Sequence, residues 1–256
     1  MALLVQSGRL GPLSDLLRNL SITLVEPEYP VNVGYVARLA KNFGVRRVYF
    51  INPKVDLSAA SIYAAHGADM LDRAKTVDFG ELRRIHELLV ATTAIRGRRR
   101  GNLVRRVLRP ERAASYLRSA KSSSLVLGRE ATGLKNDEIR FCDVVTSVDT
   151  GTEYPTMNVS HSLAILLYLV SKKASSRVRL PSRSARELFA RNLHELAVSA
   201  RFQRHRSDRL GEIAKRIAVT SQTGEKEMLL MTGIFRRAVQ TIKEENESRA
   251  QTRSKT

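Results

Sequence analysis

The chain holds one cysteine, Cys142, and no tryptophan, and aromatic residues make up 5% of its 256 positions. A lone cysteine closes no internal disulfide and builds no thiolate cluster, so a disulfide-stapled scaffold and a cysteine-ligated metal centre are excluded. Long apolar runs are missing too: the longest, Leu163 to Val170, falls far short of the roughly 20 residues that cross a bilayer. The opening Met1-Ala2-Leu3-Leu4-Val5 lacks a basic flank and makes a poor secretory leader, so a reducing, cytoplasmic setting is expected. Negative charge is scarce, with 25 Asp and Glu against 44 Lys and Arg, a net +19. What the chain does have is 43% hydrophobic residues. That suffices for one large packed domain, or one of about 150 residues with a smaller companion, and excludes a wholly disordered basic chain.

A charge of +19 points to a polyanionic partner, nucleic acid first, because self-repulsion of that size suits a protein that works against phosphates. An arginine-rich surface adapted to heat or salt is the competing explanation. The distribution favours the former. Residues 96–112 hold Arg96, Arg98, Arg99, Arg100, Arg105, Arg106, Arg109 and Arg112 with only Glu111 opposing, and guanidinium forks match phosphate geometry. Residues 171–256 carry 20 basic and 9 acidic side chains, against 24 and 16 in the first 170.

From Ser21 onward, β-branched apolar runs alternate with helical patterns, which predicts an α/β fold with a mostly parallel sheet and helices on both faces. The expected strands are Ile22–Val25, Arg47–Ile51, Leu88–Thr92, Ser124–Leu127 and Val144–Val148. Helices are expected around Val33–Phe43, Leu57–Ala65, Gly80–Glu87, Pro110–Ser119 and Asn158–Lys172. Residues 174–183, rich in Ser and Arg with a proline, read as a linker. Three amphipathic helices follow, at Ser184–Arg201, Asp208–Ser221 and Glu225–Lys243, predicting a small all-α extension over 184–245. Residues 1–19 read as a leader and 246–256 as a flexible tail.

Three segments sit where a strand gives way to a loop, the place where open α/β sheets bind ligands. The first, Glu26-Pro27-Glu28-Tyr29-Pro30-Val31-Asn32-Val33-Gly34-Tyr35-Val36-Ala37-Arg38, puts Asn32 at a helix N-cap position with Arg38 about two turns in. The second, Leu127-Gly128-Arg129-Glu130-Ala131-Thr132-Gly133-Leu134, nearly matches a P-loop, but Leu134 stands where that motif needs lysine. No G-x-G-x-x-G turn follows a strand either, so the glycines are expected to bring backbone close to a flat ligand. The third is Glu153-Tyr154-Pro155-Thr156-Met157-Asn158-Val159-Ser160-His161-Ser162, where Thr156 or Asn158 suits a helix cap. The five histidines show no metal-ligand spacing, and no G-x-S-x-G elbow appears, so neither a metal site nor a hydrolase is expected.

In this order the three segments resemble the motifs of the SpoU/TrmH branch of the SPOUT RNA methyltransferases, over roughly Ile22 to Lys173. "VARLAKNFGVRRVYFINP", "LVLGREATGL" and "EYPTMNVSHS", with "GEKEMLLMTGIFRRAV" beyond them, are most similar to TrmJ-type tRNA (cytidine/uridine-2′-O-)-methyltransferases. Val31 and Tyr35 depart from the small residues common there. The resemblance implies a C-terminal trefoil knot, a homodimer, S-adenosyl-L-methionine as cofactor, no metal, and tRNA as partner, modified at nucleotide 32 of the anticodon loop. It implies catalytic roles for Asn32, Arg38, Glu130 and Asn158, with Glu130 holding Arg38 in place. It implies a methyl-donor pocket of Thr92, Thr93, Ala94, Gly128, Val148, Pro155, Thr156 and Met157. RNA contacts are expected from Arg96, Arg98, Arg99, Arg100, Arg105 and Arg106. The alternatives are a non-catalytic RNA-binding module on the same fold and a 2′-O-methyltransferase of rRNA.

Overall fold

The computed structural model describes residues 17–94, 106–172 and 178–253. Its strands are β1 Leu20–Val25, β2 Arg47–Ile51, β3 Lys75–Thr76, β4 Leu88–Thr92, β5 Val107–Leu108, β6 Ser123–Leu127 and β7 Val144–Thr146. The helices are α1 Pro30–Asn42, α2 Leu57–Ala64, α3 Ala68–Asp72, α4 Phe79–Ile85, α5 Pro110–Ser119, α6 Asn136–Phe141, α7 Val159–Ser171, α8 Arg183–Ser199, α9 Arg204–Thr220 and α10 Glu225–Arg253. The strands form one sheet in the order β3-β2-β1-β6-β4-β7-β5, and every pairing is parallel. The five strands expected from apolar runs are β1, β2, β4, β6 and β7. The edge strands β3 and β5 are two residues each, too short to show any run. The last helix continues to Arg253, through much of the segment read as a tail, because nothing from Lys243 to Arg253 breaks a helix.

Central strands are buried on both faces, which is why they read as predominantly apolar and β-branched runs: every residue of β1 and β6 is buried, four small hydroxyl residues included. Ile22, Leu24, Val48, Phe50, Leu88, Val90, Leu125 and Leu127 face the larger core with α1, α5 and α7. Tyr49, Ile51, Leu89, Ala91, Val126 and Val145 face a smaller core closed by Leu82 of α4 and Ile139 of α6. On α1, Gly34 is required by a close crossing, since a Cβ there would lie 2.5 Å from the Ala60 carbonyl oxygen of α2.

Helices α8 to α10 share an apolar cluster of Phe189, Ala190, Ala214, Ala218 and Met228. Val219 of α9 joins the larger core on the sheet, and an ionic clasp adds to that attachment. Asp143, just before β7, accepts from Arg186 Nη1 at 3.0 Å and Arg183 Nη2 at 3.1 Å, while the Leu89 amide of β4 donates to it at 2.8 Å. Both arginines also donate to the Glu87 carbonyl. The clasp sits at the starts of β4 and β7. Beside it His86 is buried, edge-on to Tyr49 with ring centroids 5.5 Å apart, and neither ring nitrogen has a hydrogen-bond partner among the described residues.

Burial, then the positive charge of Arg183 and Arg46, lowers the His86 pKa from 6.5 to about 4, so the folded protein holds it neutral. An unfolded chain takes up that proton near pH 6.5 and the folded one does not, so stability falls as pH drops from 6.5 through 4. At 1.36 kcal/mol per unit the loss is on the order of 3 kcal/mol. His86→Phe keeps the edge contact without the proton. Its unfolding free energy is therefore expected to stay flat between pH 6.5 and 5, where the wild type declines. A parallel decline in both proteins would remove His86 as the cause.

Candidate active site

The carboxyl ends of β4, β6 and β7 lie side by side at the middle of the sheet, and the loops leaving them enclose a cavity of about 380 Å³. That size is ordinary for a small-molecule site. Thr92, Thr93, Ala94, Gly128, Val148, Pro155, Thr156 and Met157, the eight residues expected to form a donor pocket, all line it. Apolar walls come from Val148, Pro155, Met157 and Leu166, and hydroxyls from Thr92, Thr132, Thr146 and Ser162. Tyr154, Ser162 and Leu166 were not anticipated. Ser162 and Leu166 are four apart on α7, so one helix face meets the cavity.

Gly128 is explained by its own loop rather than by a ligand. A Cβ there would lie 2.3 Å from both the Gly133 carbonyl carbon and the Leu134 nitrogen, so the space a side chain would fill is occupied by backbone. Gly133 has φ +66°, and its amide donates to the Arg129 carbonyl at 2.9 Å, closing the loop on itself. The close approach expected of these glycines is therefore within the chain.

The third segment reaches the first through side chains. Asn158 caps α7, its Oδ1 accepting from the Ser160 amide at 2.8 Å, and its Nδ2 donates to Asn32 Oδ1 at 2.9 Å. Asn32 Nδ2 in turn donates to Glu130 Oε1 at 3.2 Å, and the Glu28 amide donates to Glu130 Oε2 at 3.2 Å. One relay thus ties all three loops together. Asn32 is not the N-cap of α1. That helix begins two residues earlier, at Pro30, after Tyr29. Proline suits the first helical position, and the shift frees the Asn32 side chain for the relay.

A second clamp was invisible in the sequence. Arg129, its side chain 6% exposed, donates to Glu138 through Nη2 at 2.7 Å and Nη1 at 3.0 Å, to Glu26 through Nε at 2.9 Å, and to the Gly133 carbonyl at 3.1 Å. Glu26 itself has φ +46°, an uncommon conformation for a residue with a side chain, and Asn52 at the end of β2 repeats it at +48°. Asn52 Nδ2 donates to Glu26 Oε1 at 3.1 Å. The bond from Arg129, then that from Asn52, holds the Glu26 pKa down at about 2, while its carboxylates raise the Arg129 pKa.

Glu130 makes no hydrogen bond or ion pair with Arg38; its oxygens accept from Asn32 and the Glu28 amide. Arg38 is exposed on α1, outside the cavity lining, and has no hydrogen bond or ion pair with the described residues. Arg96, Arg98, Arg99, Arg100 and Arg105 lie outside the described residues; Arg106 is described and exposed. Arg112 serves the fold, donating to the Thr220 carbonyl at the end of α9 at 3.1 Å. Among the described residues no helix is long and apolar enough to cross a membrane.

Comparison with known proteins fits this geometry. The model of the SpoU rRNA Methylase family matches residues 19–168. The tRNA (cytidine-2′-O-)-methyltransferase TrmJ of Methanocaldococcus jannaschii is 31% identical over 227 residues, covering 85% of this chain and 98% of that protein. The enzyme of the same name from Sulfolobus acidocaldarius is 28% identical, covering 89% of this chain and 97% of its own. In fold, the crystal structure of TrmJ from Z. mobilis superposes with a TM-score of 0.62 at 20% identity, over 85% of this chain and 97% of that one. A match over most of the chain, with the three motif loops gathered around one cavity, makes this protein a member of the SpoU methylase family.

Proposed function

We propose that the protein transfers a methyl group from S-adenosyl-L-methionine to the ribose 2′-hydroxyl of tRNA, at nucleotide 32 of the anticodon loop, in the cytoplasm. The observation that carries this reading is the cavity at the strand ends, lined by all eight donor-pocket residues and latched by the Asn158–Asn32–Glu130 relay. The archaeal relatives with tRNA 2′-O-methyltransferase names, aligned along 97–98% of their lengths, support the substrate. The cavity suits the donor: it joins an apolar wall at Val148, Pro155 and Met157 to the hydroxyls and backbone of Thr92, Thr93 and Thr156.

When bound, S-adenosyl-L-methionine supplies a methyl group on a positively charged sulfur, and transfer of that group needs no metal. The protein's task is to align the acceptor and exclude water. The relay fixes the loop from Pro155 to Asn158 against α1, so the third segment forms a fixed wall. Arg38 offers a guanidinium, a fork of N–H donors with no acceptor, which makes it a poor base. Its role is to orient the phosphate beside the target ribose and to stabilise the developing alkoxide, the proton leaving through that phosphate or water. Glu130 acts on the relay and not on Arg38.

The same reading gives the catalytic part to residues 20–173, with a trefoil knot at its C-terminal end. The loop after β7, which returns to the cavity to meet Asn32, supports the knot. It gives a helical extension to 184–245 and a homodimer to the assembly. Tyr35 on α1 and Ile165 and Tyr168 on α7 are exposed apolar side chains on two helices that pack together, which supports a subunit interface there. A second substrate, rRNA, is favoured by the family's own description.

The deciding experiment is mass spectrometry of nucleosides from tRNA and rRNA incubated with methyl-labelled donor. Labelled 2′-O-methylcytidine or 2′-O-methyluridine from tRNA is expected. Label confined to rRNA selects the second substrate. Donor binding by calorimetry without label in either RNA makes the chain a non-catalytic module.

A further inference from the structure

Where α9 runs beside the β7 edge of the sheet, one notch is walled by Arg106, Arg140, Lys215 and Arg216, with Asp143 and Glu212 as its only carboxylates. Neither carboxylate makes an ion pair with Arg106 or Arg216. Asp143 is already held by Arg183, Arg186 and the Leu89 amide, and Glu212 lies 3.7 Å from Arg140 Nε. Arg106 and Arg216 have no hydrogen bond or ion pair with any described residue. Two guanidinium groups thus share a notch in which four cations face two carboxylates, one from the chain entering β5 and one, half-buried, from α9, and neither has an ion-pair partner among the described residues. Burial and then the neighbouring Arg106 lower the Arg216 pKa, so the pair repels in the absence of an anion.

The arrangement is costly for folding alone, since a partly buried cation is ordinarily given a partner. It is well suited to an anion with several oxygens, because two forks from different directions can each grip one edge. The notch also opens into a larger groove of about 660 Å³ that shares Arg140, Glu212 and Lys215 with it. Along that groove lie Arg191, Arg83 in an ion pair with Glu187, Asp208, and the half-exposed ring of Phe141, stacked on Phe79 at 5.1 Å. The groove is of mixed charge, so the excess of cations is concentrated in the notch itself.

We infer that Arg106 and Arg216 together bind a backbone phosphate of the RNA substrate, at a site separate from the cavity and at the far end of β7 from it. This deepens the reading of the protein as a tRNA methyltransferase and rests on it. The contact grips the RNA body and carries no base specificity. It also joins the arginine-rich connection to the helical extension, since one arginine comes from each.

The test compares Arg106→Gln, Arg216→Gln and the double variant with the wild type, using thermal unfolding to verify that each is folded. Each single change is expected to weaken binding of unmodified tRNA three- to tenfold and to lower the salt slope by about one. The double variant should lose little more than either single, because one phosphate is lost in each case. The apparent KM for tRNA should rise by the same factor while kcat holds. A second arm uses inorganic phosphate, which should raise the unfolding temperature of the wild type more than that of Arg216→Gln. Wild-type tRNA affinity and salt slope in both single variants, or equal phosphate stabilisation of wild type and Arg216→Gln, would overturn the site. Failure of the wild type to methylate any tRNA, with phosphate still distinguishing the variants, would overturn the substrate and leave the anion site standing.

Discussion

Arg38→Ala should lower methyl transfer to tRNA by about a thousandfold or more, some 4 kcal/mol of transition-state stabilisation, while donor affinity stays within about twofold of wild type. The asymmetry follows from placement. Arg38 projects from the exposed side of α1 and does not line the cavity, so its removal leaves the donor walls intact. Its charge is not spent on Glu130, whose oxygens go to Asn32 and the Glu28 amide, and so remains available to the acceptor. Lysine at this position restores charge without the planar fork and should recover only part of the rate. Single-turnover methylation and calorimetric titration of the donor separate the two effects. Lost donor affinity with normal turnover at saturation would move Arg38 to the donor side.

Arg129→Leu should destabilise the protein by about 3–5 kcal/mol, because it strips the cation from a buried pair and leaves Glu138 charged inside the fold. For a chain of this size that is a fall in unfolding temperature of roughly 10 °C. Glu138 also accepts from the Lys135 amide at 2.7 Å, so the start of α6 loosens with it. Removing the bond to the Gly133 carbonyl should weaken donor binding as well, since that loop lines the cavity. The pH dependence has a definite sign. A depressed carboxylate pKa contributes stability that is present above its ordinary value, 4.5 for Glu26, and lost as pH falls through about 2. The gap between wild type and variant should therefore narrow as pH drops through that window. Adding Glu138→Leu to Arg129→Leu should restore part of the stability, because an apolar pair replaces the orphaned charge. A variant as stable as the wild type at neutral pH would show that the clamp is idle.

Much of the architecture could be read from the chain because burial on both faces leaves a direct imprint. Ile22–Val25 and Ser124–Leu127 are largely apolar because they are central, and their buried hydroxyls, Thr23 and Ser124, pair with each other at 2.8 Å. The cavity was legible through a different route, the order of three motifs, and its eight expected residues converge at the strand ends. What was not legible depends on contacts between distant positions. Arg129 and Glu26 are 103 residues apart, and no spacing marks them as partners. Asn32 was misplaced as a cap because Asn at a helix start has two uses, and Pro30 two residues earlier settles which. The tie expected between Glu130 and Arg38 is absent, and the carboxylate instead accepts from Asn32 and the Glu28 amide, 98 and 102 residues away in sequence.

The clasp on Asp143 makes the short strand β7 common property. Its first residue follows the carboxylate that holds Arg183 and Arg186, and its last, Thr146, lines the cavity. Three residues of strand, about 10 Å, separate the two. A helical segment borrowed from a relative will not graft here as a cassette unless it brings two arginines three positions apart on the face that meets Asp143. The expected linker at 174–183 marks where the sequence pattern changes, and the clasp lies just beyond it, at Arg183 and Arg186.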